Sequence, residues 1–104
     1  MPVVTITYTG DAPDLAPVSA ALDAVTGGGV WVYWQVASAA THDCPVVVVR
    51  ALPRPDDVVR EGLAVVARAV AEACGVPLDD VWVQWVDVDP ARVFAGGSVL
   101  DESG

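Results

Sequence analysis

The sequence predicts an α+β fold in which a duplicated β-α-β unit forms a four-stranded sheet with two helices on one face. Two alignments within the chain indicate the duplication. MPVVTITYTGDAPD (residues 1–14) matches CPVVVVRALPRPDD (44–57) without a gap, at an offset of 43 residues. VWVYW (30–34) then matches VWVQW (81–85), at an offset of 51 residues. Each half therefore contains strand, helix and strand in that order, and its two strands are expected to be parallel, with a right-handed crossover.

In the first half, Val3 to Thr9 is rich in β-branched and aromatic residues, which is typical of a strand. A short helix is expected over residues 15–25, with Asp14 as its N-cap. Three consecutive glycines at 27–29 end this helix. The second strand begins at Val30. The helix of this half is abbreviated, because the second half has eight more residues between its matching segments.

In the second half, residues 44–52 form a strand whose continuous run of valines predicts burial on both faces. The helix that follows covers residues 58–74, with apolar residues at spacings of three and four, and Asp56 or Asp57 is expected to cap it. Val81 to Val88 is the fourth strand. The two repeats, 2–39 and 45–100, are expected to form a single domain over residues 1–104.

Composition narrows the classes of function. The chain has 104 residues, of which 54% are apolar and 18% charged, and its formal net charge is −9 with five arginines and no lysine. This charge argues against binding to nucleic acid or to an anionic membrane surface, which both require a basic face. So much apolar surface on a small chain predicts an oligomer. The expected partners are a small-molecule substrate and further copies of the chain.

Localisation is inferred from the start of the chain and from the cysteines. The start has no basic segment followed by an apolar one, as a signal peptide would have, and no stretch reaches the roughly 18 apolar residues of a membrane span. Cys44 and Cys74 are too few for a disulfide framework, and we expect two free thiols rather than a bond between them. These features favour a cytoplasmic protein.

Pro2 is a candidate catalytic residue because it directly precedes a strand at the start of the chain. A Met-Pro start favours removal of the initiator methionine, which would leave Pro2 with a free secondary amine. Free α-amino groups titrate near about 7.7–8.0, and desolvation lowers that value. Such an amine is a general base near neutral pH, or a nucleophile towards carbonyl groups. The alternative is that a proline at this position has no role.

These residues resemble the tautomerase superfamily, whose members catalyse with an amino-terminal proline on a β-α-β building block. The likeness is greatest from Cys44 to Leu100, which resembles the 4-oxalocrotonate tautomerase repeat through its Gly-Val-Pro-Leu-Asp-Asp-Val and Phe-x-Gly-Gly segments. The whole chain resembles fused two-repeat members of the malonate semialdehyde decarboxylase, chloroacrylate dehalogenase and macrophage migration inhibitory factor types. In those members only the first proline is free, and the chains form trimers. Pro45, acylated by Cys44, is therefore expected to be the silent copy.

The resemblance implies roles for particular residues. Pro2 matches the catalytic proline, Arg54 the arginine that binds the substrate carboxylate, and Phe94 the aromatic residue that walls the site. The chain departs from the family at two positions, since Leu52 stands where a second arginine is frequent and Trp82 where an arginine of the fourth strand is expected. These departures suggest a substrate that is less anionic and more apolar than a dicarboxylate.

Further candidates come from the residues themselves. Tyr33 is a candidate hydrogen-bond donor to an enolate oxygen, with core packing as the alternative. Trp31 and its counterpart Trp82 are candidate substrate-binding walls of the site, with packing as the alternative for both. Arg92, close to Phe94 in the chain, is a candidate for a neighbouring pocket. Arg50 is expected to form a structural salt bridge.

No cofactor is expected. His42 and Cys44 have a spacing that suits a metal, but two ligands without a third do not make a site, so no metal is expected either. We expect keto-enol or double-bond isomerisation of a small carbonyl or carboxylate substrate, with Pro2 as the general base and a homotrimer as the assembly. The alternatives are hydratase, dehalogenase, decarboxylase or iminium chemistry on the same scaffold, or a non-catalytic module that binds a ligand or a protein.

Overall fold

Four strands and two helices make up most of the fold. The computed structural model describes residues 1–103, and the elements are β1 (Val3–Tyr8), α1 (Ala16–Thr26), β2 (Trp31–Val36), β3 (Val46–Ala51), α2 (Asp56–Cys74), β4 (Trp82–Asp87), β5 (Phe94–Ala95) and β6 (Ser98–Val99). Single 3₁₀ turns precede β4 and β5, and another follows β6. The predicted order of strands and helices is confirmed, while β5 and β6 were not predicted.

The four long strands form one mixed sheet in the order β2-β1-β3-β4. β1 is parallel to β2 and β3 is parallel to β4, as expected for two β-α-β units. The two units meet through the antiparallel pairing of β1 with β3, in a register that places Val3 opposite Arg50 and Thr7 opposite Val46. The first residues of β1 therefore lie beside the last residues of β3. This α+β architecture is the one that the sequence predicts.

Both helices pack on one face of the sheet and form the hydrophobic core with it. The buried side chains of this core alternate along the strands and recur at helical spacing: Val4, Ile6, Val18, Leu22, Val47, Val49, Val66 and Val70. Trp34 and Trp85 pack against the edge of the same cluster. The Trp34 indole N–H also donates a hydrogen bond of 3.1 Å to the carbonyl of Gly10, which pairs its polar atom inside this layer.

The opposite side of the sheet, here called the outer face, is not covered by either helix, and the tail lies near only one end of it. It carries Val3, Val48 and Arg50 from the central strands, and the strongly exposed rings of Trp31 and Trp82 from the edge strands. The valines of β3 therefore alternate, with Val47 and Val49 buried and Val46 exposed. The prediction that β3 is buried on both faces is wrong for a single chain, because both helices lie on the same face.

The helix ends follow local chemistry. α1 begins at Ala16 with Leu15 as its N-cap, so the predicted cap at Asp14 lies one residue too early, although the Asp14 carboxylate does accept a hydrogen bond from the N–H of Ala16. α2 begins at Asp56, so Asp56 and Asp57 lie in its first turn rather than at the cap. In the first turn their negative charges interact favourably with the positive end of the helix dipole. α1 ends at Thr26 and is followed by Gly27 at its C-cap, whose φ of 91° is left-handed and suits a residue without a side chain.

The tail folds back on the amino terminus through a short hairpin. Gly96 and Gly97, both with positive φ, make the turn between β5 and β6. The N–H of Leu100 then donates to the carbonyl of Val93 at 2.9 Å and closes the hairpin. This turn holds Phe94 above the outer face, next to the end of the sheet where β1 begins.

Leu22 gives a test of the packing. Its side chain is fully buried between α1, α2 and the sheet, so Leu22→Ala removes apolar contacts and leaves a cavity. We expect the free energy of unfolding to fall by about 2–5 kcal/mol in urea denaturation at a fixed protein concentration. Leu78→Ala is the matched control, because Leu78 is 52% exposed, and its effect should stay within about 0.5 kcal/mol. Equal losses in the two variants would contradict this core.

Candidate functional site

A cleft of about 230 Å³ opens at the end of the outer face where β1 begins, and residues of the tail hairpin line one side of it. We call it the Pro2 cleft. Its walls are mostly apolar: Val3, Leu52, Val88, Val93, Ala95 and Leu100. Met1, Trp31, Arg50 and Phe94 complete the lining. The cleft thus combines an apolar wall, two aromatic rings and a guanidinium group close to the amino terminus.

Pro2 is not itself part of the lining, but it lies between Met1 and Val3, which both line the cleft, and it is fixed by the sheet. Its side chain is fully buried, and its carbonyl accepts a hydrogen bond of 2.9 Å from the N–H of Trp31, which extends the pairing of β1 with β2. Met1, bonded to the Pro2 nitrogen, lines the cleft itself. Removal of Met1 would therefore leave that nitrogen facing the space that Met1 now lines.

Trp31 and Phe94 stand on two sides of the cleft. Trp31 is directly opposite Val3 in the register of β1 with β2, and its ring is 48% exposed. Phe94 reaches the cleft from the tail hairpin and is 71% exposed. Both rings remain largely open to solvent in a single chain, so the cleft is wide open on its outer side.

Among the described side chains that line the cleft, only that of Arg50 is charged. The register of β1 with β3 puts Arg50 opposite Val3, one residue from Pro2. Because Arg50 and Val3 are directly paired, their side chains lie on the same face of the sheet. Its guanidinium group is exposed on that outer face, where a ligand entering the cleft would meet it.

Arg54 lies elsewhere, on the helix side of the same end of the molecule. Its Nη1 donates a hydrogen bond of 3.3 Å to the carbonyl of Thr26, the last residue of α1. Its Nε is buried and has no acceptor within the described part of the chain. Helix carbonyls at a C-terminus lack intrahelical partners, which is why this end of α1 attracts a cation. Arg54 is not among the residues that line the Pro2 cleft.

Three further candidates also lie outside the lining of this cleft. Tyr33 is 54% exposed on the outer face, two residues along β2 from Trp31. Trp82 is 62% exposed and pairs with Val46, at the opposite end of the sheet. Arg92 is exposed in the 3₁₀ turn that precedes Phe94. The cleft therefore brings Trp31 and Phe94 together with the two chain neighbours of Pro2, and leaves Arg54, Tyr33, Trp82 and Arg92 outside its lining.

A second cleft, of about 360 Å³, occupies the equivalent place at the other end of the sheet. Its lining includes Cys44 and Thr7, which the offset of 43 residues relates to Met1 and Arg50. Thr9 likewise takes the place of Leu52. Pro45, the equivalent of Pro2, is fully buried and is an amide. The duplication has thus given two clefts with different chemistry.

The second cleft is rich in hydroxyl groups that are already paired. The Thr9 hydroxyl donates to the carboxylate of Asp43, and the Thr41 hydroxyl is 3.1 Å from Nδ1 of His42. Desolvation, with the nearby negative charge of Asp43, raises the pKa of the Tyr8 hydroxyl above its usual value, so Tyr8 stays neutral in this setting. The pKa of the Cys74 thiol is also raised by burial.

The sequence singled out Pro2, Trp31 and Phe94 but assigned Arg50 to a salt bridge. Arg50, Val88 and Val93 are among the lining residues that it missed, while Leu52 was noted only as a departure from the family. The alternation of β3 does place Arg50 on the same face as Val48. Only the register of β1 with β3, a contact between the two repeats, shows that this face of β3 meets the amino terminus.

The described residues hold neither a metal site nor a membrane span. Among residues 1–103, no group of three or more His, Cys, Asp or Glu side chains is arranged to hold a metal ion. Within the same residues, neither helix combines the length and the apolar character that crossing a membrane requires.

The sequence matches no family model, and no curated protein matches it either. Solved structures do match over nearly the full chain. The F6 fused 4-OT wild-type asymmetric trimer has a TM-score of 0.86 at 13% identity, covering 98% of both chains. Pt0534 inactivated by 2-oxo-3-pentynoate has a TM-score of 0.83 at 19% identity, covering 97% of both chains. Malonate semialdehyde decarboxylase has a TM-score of 0.72 at 16% identity, covering 90% of both chains.

The chain has the tautomerase-superfamily fold. The resemblance inferred from the repeated β-α-β unit is thereby confirmed at the level of the fold.

Proposed function

We propose that this protein is a tautomerase-like enzyme in which Pro2, freed by removal of Met1, is the general base of the Pro2 cleft. The observation that carries the proposal is the position of Pro2. It is buried and held by the Trp31 N–H, and its nitrogen is bonded to a residue that lines a mostly apolar cleft. Apolar surroundings disfavour the charged form of an amine and keep it available as a base near neutral pH.

The reaction that fits is ketonisation of a small enol or the shift of a double bond next to a carbonyl. The neutral Pro2 nitrogen takes the proton of the enol hydroxyl, and the resulting ammonium gives a proton to the neighbouring carbon as the carbonyl forms. Phe94 and Trp31 would flank the substrate and limit the access of water. Arg54, which the family resemblance assigns to the substrate carboxylate, would have to leave Thr26 to take that role.

We also propose that the assembly is a homotrimer that covers the outer face. Trp31, Tyr33, Trp82 and Phe94 are each about half exposed or more on that side of the sheet. Such a concentration of apolar surface is unusual on a monomer and typical of an interface. The F6 and R7 fused 4-OT structures, which share this fold, are trimers. A neighbouring subunit on this face would also close the open side of the Pro2 cleft.

The role of Pro2 is tested with a matched pair of variants. Pro2→Ala replaces a ring nitrogen held by β1 with a primary amine that rotates freely, so kcat/KM for ketonisation of phenylenolpyruvate should fall about 10²-fold or more. Pro45→Ala makes the same change in the second repeat, where the nitrogen is an amide, and should keep kcat/KM within about threefold. Loss of the enol absorbance measures the rate.

The intact mass of each protein shows whether Met1 has been removed. The test uses chains without Met1, because Pro2 is a free amine only in those chains. If processed Pro2→Ala is as active as the processed parent, Pro2 is not the base. If Met1 is retained and the retained form is active, the proline mechanism fails as well. If Met1 is retained and the retained form is inactive, the interpretation that remains is a non-catalytic module in which Met1 covers Pro2.

2-Oxo-3-pentynoate, which inactivates Pt0534, gives an independent readout of the same amine. Conjugate addition would join the Pro2 nitrogen to the alkyne carbon farther from the ketone, while the adjacent alkyne carbon takes a proton. The adduct therefore retains every atom of the reagent. We expect this mass on the amino-terminal peptide of chains that lack Met1 and not on chains that retain it. Labelling confined to Cys44 would count against a reactive Pro2.

The trimer is tested by placing a charge at the centre of the outer face. Val48 is directly opposite Thr5 on this face, and Val48→Glu should expose the carboxylate harmlessly in one chain but bury it in a trimer. By sedimentation equilibrium, the parent should have three times the 10.8 kDa mass of the chain, and Val48→Glu a lower mass with an unchanged circular dichroism spectrum. Ala24→Glu, on the exposed side of α1, should remain trimeric. A monomeric parent would contradict the proposal.

A further inference from the structure

Binding of an anionic ligand in the Pro2 cleft depends on which positively charged side chain faces the cleft. Two arginines, Arg50 and Arg54, lie at this end of the molecule, on opposite sides of the sheet. Arg50 lines the cleft from β3, opposite Val3. Arg54 is bound to the Thr26 carbonyl at the end of α1, with part of its guanidinium group buried. A ligand in the cleft therefore meets Arg50 without any rearrangement of the fold.

The comparison of the two clefts points to the same residue. They descend from one duplicated unit, and their linings correspond at an offset of 43 residues. At the positions of Arg50 and Leu52 in the Pro2 cleft, the second cleft has Thr7 and Thr9. The Pro2 cleft, whose proline can become a free amine, therefore has a guanidinium group at this position. The second cleft, whose Pro45 is always an amide, has a neutral hydroxyl group there.

The remaining lining limits what a substrate of this cleft can be. Apart from Arg50 and the amino terminus, the described residues around the cleft are apolar or aromatic, among them Leu52, Val93 and Phe94. A guanidinium group binds a carboxylate through paired, charge-assisted hydrogen bonds. A second carboxylate placed against the apolar wall would lose its hydration, and the described lining residues offer it no cation besides Arg50.

We infer that Arg50, and not Arg54, is the anion-binding residue of the Pro2 cleft, and that the cleft selects a substrate with one carboxylate near the reacting carbon and an apolar body. This inference rests on the proposed function, because it names the substrate class of that same site. Arg54 instead positions the end of α1 and, through it, the glycines at 27–29 that lead into β2. One of these, Gly29, lies beside the Met1 side chain.

Binding of inert analogues tests this role separately from the chemistry. The probes are trans-cinnamate, its neutral amide and 4-carboxycinnamate, measured by calorimetry with chains from which Met1 is absent. The parent should bind cinnamate about tenfold or more tighter than the amide, since a hydrogen bond to a charged group is worth this much. It should also bind 4-carboxycinnamate about tenfold or more weakly than cinnamate.

The variants are Arg50→Gln and the matched Arg54→Gln. Arg50→Gln should bind cinnamate and its amide about equally, while Arg54→Gln should preserve the difference. In turnover of phenylenolpyruvate, Arg50→Gln should mainly raise KM. Circular dichroism of both variants checks the fold, and Arg50→Lys, which keeps the charge but not the paired geometry, should retain part of the discrimination.

The inference is overturned if discrimination is lost in Arg54→Gln instead of Arg50→Gln, or if the parent binds no cinnamate or prefers the dicarboxylate. One further result distinguishes failure of the proposed reaction from failure of this inference. If the parent discriminates through Arg50 but no form of the protein ketonises the enol, the proposed reaction fails while the role of Arg50 as the anion-binding residue stands.

Discussion

The antiparallel pairing of β1 with β3 is the contact on which the other features of this protein depend. It joins two β-α-β units into one sheet and leaves both helices on the same face. Its register also sets Val3 opposite Arg50, so that the amino terminus and a guanidinium group share one end of the outer face. A shift of one residue would turn Arg50 towards the helices and remove the charge from the cleft.

Because the two units repeat the same order of strands and helix, the sheet has two equivalent ends. The side chains that line these two ends differ in their chemistry. One end has a mostly apolar cleft with Arg50 and the start of the chain. The other has hydroxyl groups, a neutral Tyr8 and a proline that is permanently an amide. The tail hairpin strengthens this difference, since it brings Phe94 to the first end. The two ends of one sheet thus carry different side chains at a few equivalent lining positions, and one of them forms the candidate site.

The sequence predicted the fold well because its signals are local or repeated. β-Branched runs, glycines at helix ends and the two internal alignments are sufficient for the four long strands and both helices. The lining of the cleft depends on contacts between repeats, and for this reason Arg50 was missed. Arg54 is the opposite case, because its position in the chain suits a substrate-binding arginine. Its half-buried guanidinium group instead donates a hydrogen bond to the carbonyl of Thr26, on the other side of the sheet. The β5–β6 hairpin gave only a weak signal, two glycines between short apolar segments.

The most direct test of the proline mechanism is the titration of the Pro2 nitrogen itself. In protein labelled with ¹⁵N-proline, each of the eight prolines gives its own nitrogen signal, and only a free amine can titrate. We predict one titrating signal with a pKa below the roughly 7.7–8.0 of an ordinary α-amino group, because the apolar cleft and the positive charge of Arg50 both disfavour the ammonium form. If no proline nitrogen titrates, or if the free amine titrates at or above the ordinary value, Pro2 is not the poised base that this mechanism requires.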